Sequence, residues 1–161
     1  SLARVMPNTP SKIRKGVVGY CVAEGAEYSA DLIEELLGPL GHVVRVEEGE
    51  SFEAFTVTAA SGPGFILEIM QIWQEWLEDY DFDAEESRQI IVETFGGIAE
   101  LAKREPTLSL SDLQAQVTSK GGVTQAGLES MREMELDRLF RVSFEKAVLR
   151  DRELGKKSKS R

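Results

Sequence analysis

The sequence predicts a mostly α-helical chain preceded by a small β-α-β unit. Before residue 50, short β-rich apolar runs at Val17 to Ala23 and Val43 to Val46 flank one amphipathic stretch. After residue 50 the apolar positions change to helical spacing and keep it almost to the end. At 161 residues and 42% hydrophobic, the chain is long enough for one compact core. Folding would bury roughly 68–70% of the surface of the extended chain.

Taken in order, Ala3 to Met6 is expected as a short strand ended by Pro7, and Gly16 to Ala23 as a second strand. Ser29 is placed to cap a helix with Leu32, Ile33, Leu36, Leu37 and Leu40 on one face, which Gly41 stops. His42 to Glu47 returns as a strand. Parallel sheets need cover on both faces, so this unit cannot bury itself alone. Ser51 is expected to cap a helix carrying Phe52, Phe55 and Ala59, interrupted near Gly62-Pro63-Gly64. Pro63 suits the first turn of the next helix, which displays Ile66, Ile69, Met70, Trp73, Trp76, Leu77 and Tyr80. Asp83-Ala84-Glu85-Glu86 resembles a capping box with Asp83 in the Ser/Thr place, opening a helix with Ile90, Ile91, Phe95, Ile98 and Leu101. Ser109-Leu110-Ser111-Asp112 starts a short helix bearing Leu113 and Val117. A Gly-Gly loop follows, then a helix from Val123, and a last one marked by Leu136, Leu139, Phe140, Ser143, Phe144, Ala147 and Val148.

Charge is unevenly laid out. Residues 1–15 carry four cations and residues 156–161 another four, with no acid in either stretch, so the net −9 leaves −17 on the body between them. An acidic body repels nucleic-acid backbones, which need clustered cations. Residues 156–161 read as a solvated, disordered basic tail. Cys21 is the only cysteine, which excludes an intramolecular disulfide and cysteine-rich zinc sites. No run of about 18 apolar residues is present to span a membrane. A reducing, soluble, cytoplasmic setting is the expectation.

With His42 as the single histidine, Ser-His-Asp and Cys-His catalysis are implausible, and His42 reads as a turn residue. The acidic runs at residues 47–50 and 79–83 lack calcium-loop spacing and read as solvated turns and caps; no metal site is expected. Trp73 and Trp76 read as core or interface anchors. The remaining chemistry lies in Ser119-Lys120-Gly121-Gly122-Val123-Thr124. Two glycines let the backbone approach a ligand, and a helix start offers free N–H groups that can hold a carboxylate or phosphate. On spacing alone the same residues are equally a Gly-Gly turn with a capping role.

Three motifs carry a resemblance. Residues 119–124 resemble the Ser-Pro-Gly-Gly-Thr-Thr substrate loop of the pyrroline-5-carboxylate reductase family, which makes proline. Arg4-Val5-Met6-Pro7-Asn8-Thr9-Pro10 is similar to its Arg-x-Met-Pro-Asn-Thr-Pro signature, and residues 53–65 resemble its Asp-Ala-Val-Thr-x-x-Ser-Gly-Ser-Gly-Pro-Ala-Tyr stretch. The motifs stand in family order with family-like spacing. Departures are Lys120 for proline, Val123 for threonine, Ala59-Ala60 for Ser-Gly and Gly64-Phe65 for Ala-Tyr. On the Trp-bearing helix, Trp76 and Leu77 stand where alanine and glycine are usual.

The resemblance implies a helical dimerisation domain of the 6-phosphogluconate dehydrogenase C-terminal-like type over residues 50–155. Residues 1–49 would be the last edge of a Rossmann domain. The family's dinucleotide fingerprint, G-x-G-x-x-G, does not occur, and the chain starts at Ser1. It is therefore expected to be the C-terminal portion of a larger NADP- or NAD-dependent reductase, inactive alone. Ser119, Lys120, Gly121, Gly122, Val123 and Thr124 would bind an imino acid, with Thr124 catalytic. Met6, Pro7, Asn8, Thr9 and Pro10 would lie against the nicotinamide. A homodimer or higher homo-oligomer is implied. A non-catalytic dimerisation module, a reductase of another imine and a related dehydrogenase with an all-α C-terminal domain remain alternatives.

Overall fold

The computed structural model describes residues 2–23 and 30–158. Its elements are β1 (Ala3–Met6), β2 (Gly16–Val22), α1 (Ala30–Leu37), β3 (Gly41–Arg45), α2 (Glu50–Phe55), α3 (Gly62–Glu78), α4 (Ala84–Arg104), α5 (Leu110–Gln116), α6 (Val123–Glu133) and α7 (Leu136–Ser158). Short 3-10 turns cover Thr9–Ile13 and Gly38–Leu40, and a π-helical turn covers Thr56–Ala60. The mostly helical fold with a small N-terminal sheet is as the sequence predicts.

The chain divides into two compact units, Ser1–Leu67 with Val142–Arg161, and Glu68–Arg141. In the first, the sheet runs β1-β2-β3. β2 and β3 pair in parallel, from Gly16↔Gly41 to Tyr20↔Arg45, around the β-α-β crossover through α1. β1 pairs antiparallel to β2, with Met6 opposite Gly19. Val18, Tyr20 and Cys21 of β2 are buried, together with Ile33 of α1, Phe52 of α2 and Val57. Gly19 serves a close approach: a Cβ there would meet Cδ1 and Cζ of the Phe55 ring at 2.7 Å. Phe52 and Phe55 pack tilted at 6.2 Å between centroids.

Several boundaries differ from the sequence reading, each for a local reason. α1 ends at Leu37 rather than running through Leu40, because Pro39 has no N–H with which to continue the ladder. Only Ile33 of its apolar face is buried, while Leu32 and Leu36 stay exposed. His42 is not a turn residue but lies within β3, opposite Val17. Ser51 does not cap α2; Gly49, at φ 103°, stands at the N-cap and Ser51 falls in the first turn. The interruption expected near Gly62-Pro63-Gly64 falls at Ser61, just before α3 begins, but the turn leading into it, Thr56–Ala60, is π-helical rather than α-helical. The cap expected at Ser29 lies outside the described residues. α7 continues helically through Ser158, across the first residues of the stretch read as a disordered tail.

Within the first unit the end of α7 is tied to the start of α2. Arg152 donates from Nε to both Glu53 carboxylate oxygens, at 2.9 and 3.0 Å, and from Nη2 to Oε2 at 2.7 Å. This bidentate geometry holds the Glu53 carboxyl below the usual glutamate range, chiefly through the Arg152 hydrogen bonds. A carboxyl with a depressed folded-state pKa adds stability that is present above the unfolded value, about 4.3, and is lost as pH falls through the folded one. Arg152→Gln is therefore expected to melt below the parent chain at neutral pH, with the gap closing in acid once Glu53 is protonated. Thermal melts at pH 7 and at about pH 3 check this; an equal gap at both would show that the pair adds nothing.

The second unit is all helical. Asp83 caps α4 by accepting from Glu85 and Glu86 N–H, each at 2.9 Å. Ser109 and Asp112 form a reciprocal capping box at the start of α5. Trp73 stands edge-on to Phe95 at 5.1 Å, and Leu113, Ile91 and Ser87 are buried. Much of the apolar surface is left uncovered, with Trp76 61% exposed beside exposed Ile72, Ile98 and Leu101. Patches of this kind mark protein–protein interfaces.

Candidate functional site

The first motif is pinned in place by Asn8. After β1, Pro7 breaks the strand, and Asn8, in an extended conformation, caps the 3-10 turn Thr9–Ile13. Its side-chain Oδ1 accepts from Val17 N–H at 2.9 Å, and its Nδ2 donates to the Ala59 carbonyl at 3.1 Å. That carbonyl belongs to the π-helical turn formed by the second motif. In a π turn each carbonyl bonds five residues ahead, as Thr56 O does with Ser61 N–H at 3.0 Å, so neighbouring carbonyls need other donors. The Thr58 hydroxyl supplies one to Ala54 O, and the Thr56 hydroxyl adds a second donor to Phe52 O beside the Thr56 N–H, each hydroxyl at 2.8 Å. Asn8 supplies the one for Ala59.

Between the two motifs lies a cavity of about 800 Å³. Asn8, Thr9, Pro10, Lys12 and Ile13 line it from the 3-10 turn, Val17 from β2, and Phe55, Thr58, Ala59, Gly62, Pro63, Ile66 and Leu67 from the helical side. The walls are apolar, and Lys12 is the single charged residue lining them. The structure thus brings Asn8, Thr9 and Pro10 to one site. Met6, paired opposite Gly19 in β1, and the exposed Pro7 do not line it.

The loop 119–124 belongs to the second unit. Gly121 has φ 69°, a left-handed conformation that favours glycine, and Gly122 stands extended at the N-cap of α6. A Cβ on Gly122 would meet the Ser119 side chain and, at 3.0 Å, its carbonyl. Its lack of a side chain therefore serves the turn itself. Two of the expected donors are already engaged: Gly122 N–H bonds Ser119 O at 3.0 Å, and Gly121 N–H bonds the Gln125 side chain at 2.7 Å. The amides that helix geometry leaves free are those of Val123, Thr124 and Gln125 in the first turn. Thr124 is exposed at the second position of α6, Lys120 is exposed, and the Val123 side chain is 93% exposed.

Elsewhere in the first unit Arg4, Glu48 and Cys21 form a chain. Arg4 donates to Glu48 Oε1 at 2.7 Å, and the Cys21 thiol donates to Glu48 Oε2 at 2.9 Å. Burial, then the hydrogen bond to Glu48, pushes the Cys21 thiol up, while the thiol hydrogen bond holds Glu48 down. Cys21 is thus a buried thiol hydrogen-bonded to a carboxylate, a setting that disfavours the thiolate. Burial likewise raises Tyr20, with Glu34 adding to it. Among the described residues no three metal-ligating side chains cluster, and no helix is long and apolar enough to cross a membrane.

An edge of sheet followed by long amphipathic helices with uncovered apolar faces defines a helical oligomerisation domain attached to a fragment of α/β sheet. The profile for pyrroline-5-carboxylate reductase dimerisation matches residues 49–154. The chain belongs to that family. Pyrroline-5-carboxylate reductase of Vibrio alginolyticus is 31% identical over 157 residues, covering 97% of this chain and 58% of that protein. The Haemophilus influenzae enzyme of the same name is 27% identical, covering 96% and 57%. A pyrroline-5-carboxylate reductase structure from Coxiella burnetii superposes with a TM-score of 0.88 at 31% identity, over 94% of this chain and 56% of that one. A Plasmodium falciparum pyrroline carboxylate reductase, solved with NADP bound, shares the fold at a TM-score of 0.85 and 20% identity, over 96% and 63%. The chain thus spans a little under three-fifths of its curated relatives.

The sequence reading missed Lys12, Phe55, Ile66 and Leu67 as cavity residues. Phe55, Ala59, Gly62 and Ile66 follow one another at helical spacing, and that stripe was legible as apolar. What it does not disclose is that it faces a hollow rather than the core.

Proposed function

We propose that this chain is the dimer-forming and substrate-binding part of an NAD(P)H-dependent reductase that converts 1-pyrroline-5-carboxylate to L-proline by hydride transfer to a cyclic imine. In this reading residues 1–49 are the edge of the nucleotide-binding domain, 50–155 the dimerisation domain and 156–161 a basic tail, in a homodimer or larger homo-oligomer in the cytoplasm. The observation that carries it is the meeting of the first two motifs at one apolar cavity. Apolar walls at Ile13, Val17, Phe55 and Ile66 suit the nicotinamide end of a dinucleotide. The NADP in the Plasmodium relative supports that cofactor class. When bound, the cofactor supplies the hydride. The chain's own residues bind and orient: Asn8, Thr9 and Pro10 shape the cavity, and the first turn of α6 with Thr124 holds the imino acid's carboxylate and nitrogen.

The exposed Val123, in a place where the family favours a hydroxyl, supports a second reading as a reductase of another cyclic imino acid. Both readings are tested by following NADPH consumption by the whole polypeptide with pyrroline-5-carboxylate and with a six-membered imino acid. Turnover is expected with the first, from a species at least twice the mass of one chain by light scattering. This chain alone is expected to show no turnover and only weak NADPH binding by calorimetry. Tight, saturable NADPH binding by the chain alone, or no imine reduction by the whole polypeptide, would overturn the proposal.

A further inference from the structure

We propose that Asn8 is a positioning residue: its side-chain amide holds the π-helical turn Thr56–Ala60 in register and so sets where Thr58 and Ala59 stand on the cavity wall. The inference rests on the reductase reading for its catalytic consequence, but its structural part stands on this chain alone. By resemblance Asn8 would lie against the cofactor, yet both ends of its side chain are spent inside the protein, on Val17 N–H and the Ala59 carbonyl. A π turn is one residue longer than an α turn closing the same ladder, and each residue of slip rotates the downstream side chains by about 100° around the axis. Slipping to α register would carry Thr58 and Ala59 off the wall they now form with Phe55 and Gly62. The Thr56 and Thr58 hydroxyls cap carbonyls within their own helix. Asn8 alone, among the described hydrogen bonds to this turn, comes from another element, 51 residues away. It is therefore the link through which the 3-10 turn and the helix are fixed to each other across the cavity.

Asn8→Asp is the informative variant. It keeps the shape and the acceptor for Val17 N–H, but a carboxylate oxygen replaces the donor to Ala59 O. A protonated carboxyl can donate there again, so the defect is expected to be relieved in acid. Lys12 is the charged group lining the cavity, and α2, the π turn and α3 contribute none there. In this chain, amide exchange at Ser61, whose N–H bonds Thr56 O, should lose about tenfold in protection at pH 8 and regain most of it at about pH 3, below the ordinary aspartate range of about 3.9, with α4 unchanged; one lost hydrogen bond is of that order. In the whole reductase, the variant-to-parent ratio of kcat/KM should fall about tenfold at pH 8 and recover in acid to within about threefold of parity. Asn8→Ala should show the same loss without recovery. Unchanged protection at Ser61, an effect of equal size at both pH values, or loss of the fold by Asn8→Asp at both would overturn the proposal. If the parent reduces no pyrroline-5-carboxylate, the reductase reading fails and the exchange measurement alone decides the role of Asn8.

Discussion

Replacing Phe52 with alanine is expected to lower the unfolding free energy by about 3–5 kcal/mol, read as a shifted urea midpoint at unchanged slope. Phe52 is 0% exposed, and its ring lies beneath the Arg4 guanidinium at 4.1 Å and beside Phe55. Truncation removes the largest apolar group of α2 from the core and leaves a cavity that sheet and helix can fill only in part. It also strips Arg4 of its aromatic partner, a further loss of about 0.5–1 kcal/mol for a cation of this exposure. Against a typical total of about 5–15 kcal/mol, that is a large fraction of the stability. Phe52→Leu should lose distinctly less. A change under about 1 kcal/mol for the alanine variant would mean that the core of the first unit does not depend on this ring.

On the reductase reading proposed above, Thr124→Ala in the whole polypeptide is expected to lower kcat/KM for pyrroline-5-carboxylate roughly ten- to a hundred-fold, the equivalent of losing one hydrogen bond to a charged group, about 1.5–3 kcal/mol. Thr124 stands exposed in the first turn of α6, where helix geometry leaves the backbone amides without helix partners. Folding should be little affected, because the residue buries almost nothing. Gly122→Val should also impair activity, by displacing Ser119 and the turn it closes. A value for Thr124→Ala within two-fold of the parent would move the substrate site elsewhere.

Local signals were legible in the sequence and distant ones were not. The caps at Asp83 and Ser109 were readable because both partners of each hydrogen bond lie within three residues. The Gly-Gly turn was readable because a glycine pair marks a turn by itself, while the positive φ that Gly121 takes in it was not foreseen. The cap of α2 was misplaced because Ser51 offered a better side chain than Gly49, while the chain's entry favoured the glycine's left-handed backbone. The π turn was invisible, since Thr56, Val57 and Thr58 read equally as one turn of ordinary helix. The use of Asn8 was invisible for the same reason: its partner is a carbonyl, which sequence does not mark, and it lies far along the chain. Of the candidate site, the residue types were therefore legible and the bonds between them were not.

Gly19 has a consequence reaching past the strand that holds it. The Phe55 ring rests against the bare backbone there and at the same time forms a wall of the cavity. The depth of the hollow is thus set from behind, by an atom that is missing from the sheet. A methyl group at that strand position would push the ring forward into the space a ligand would take. Anyone reshaping this pocket for a bulkier or slimmer guest has a control on its back wall, at a residue the guest never touches.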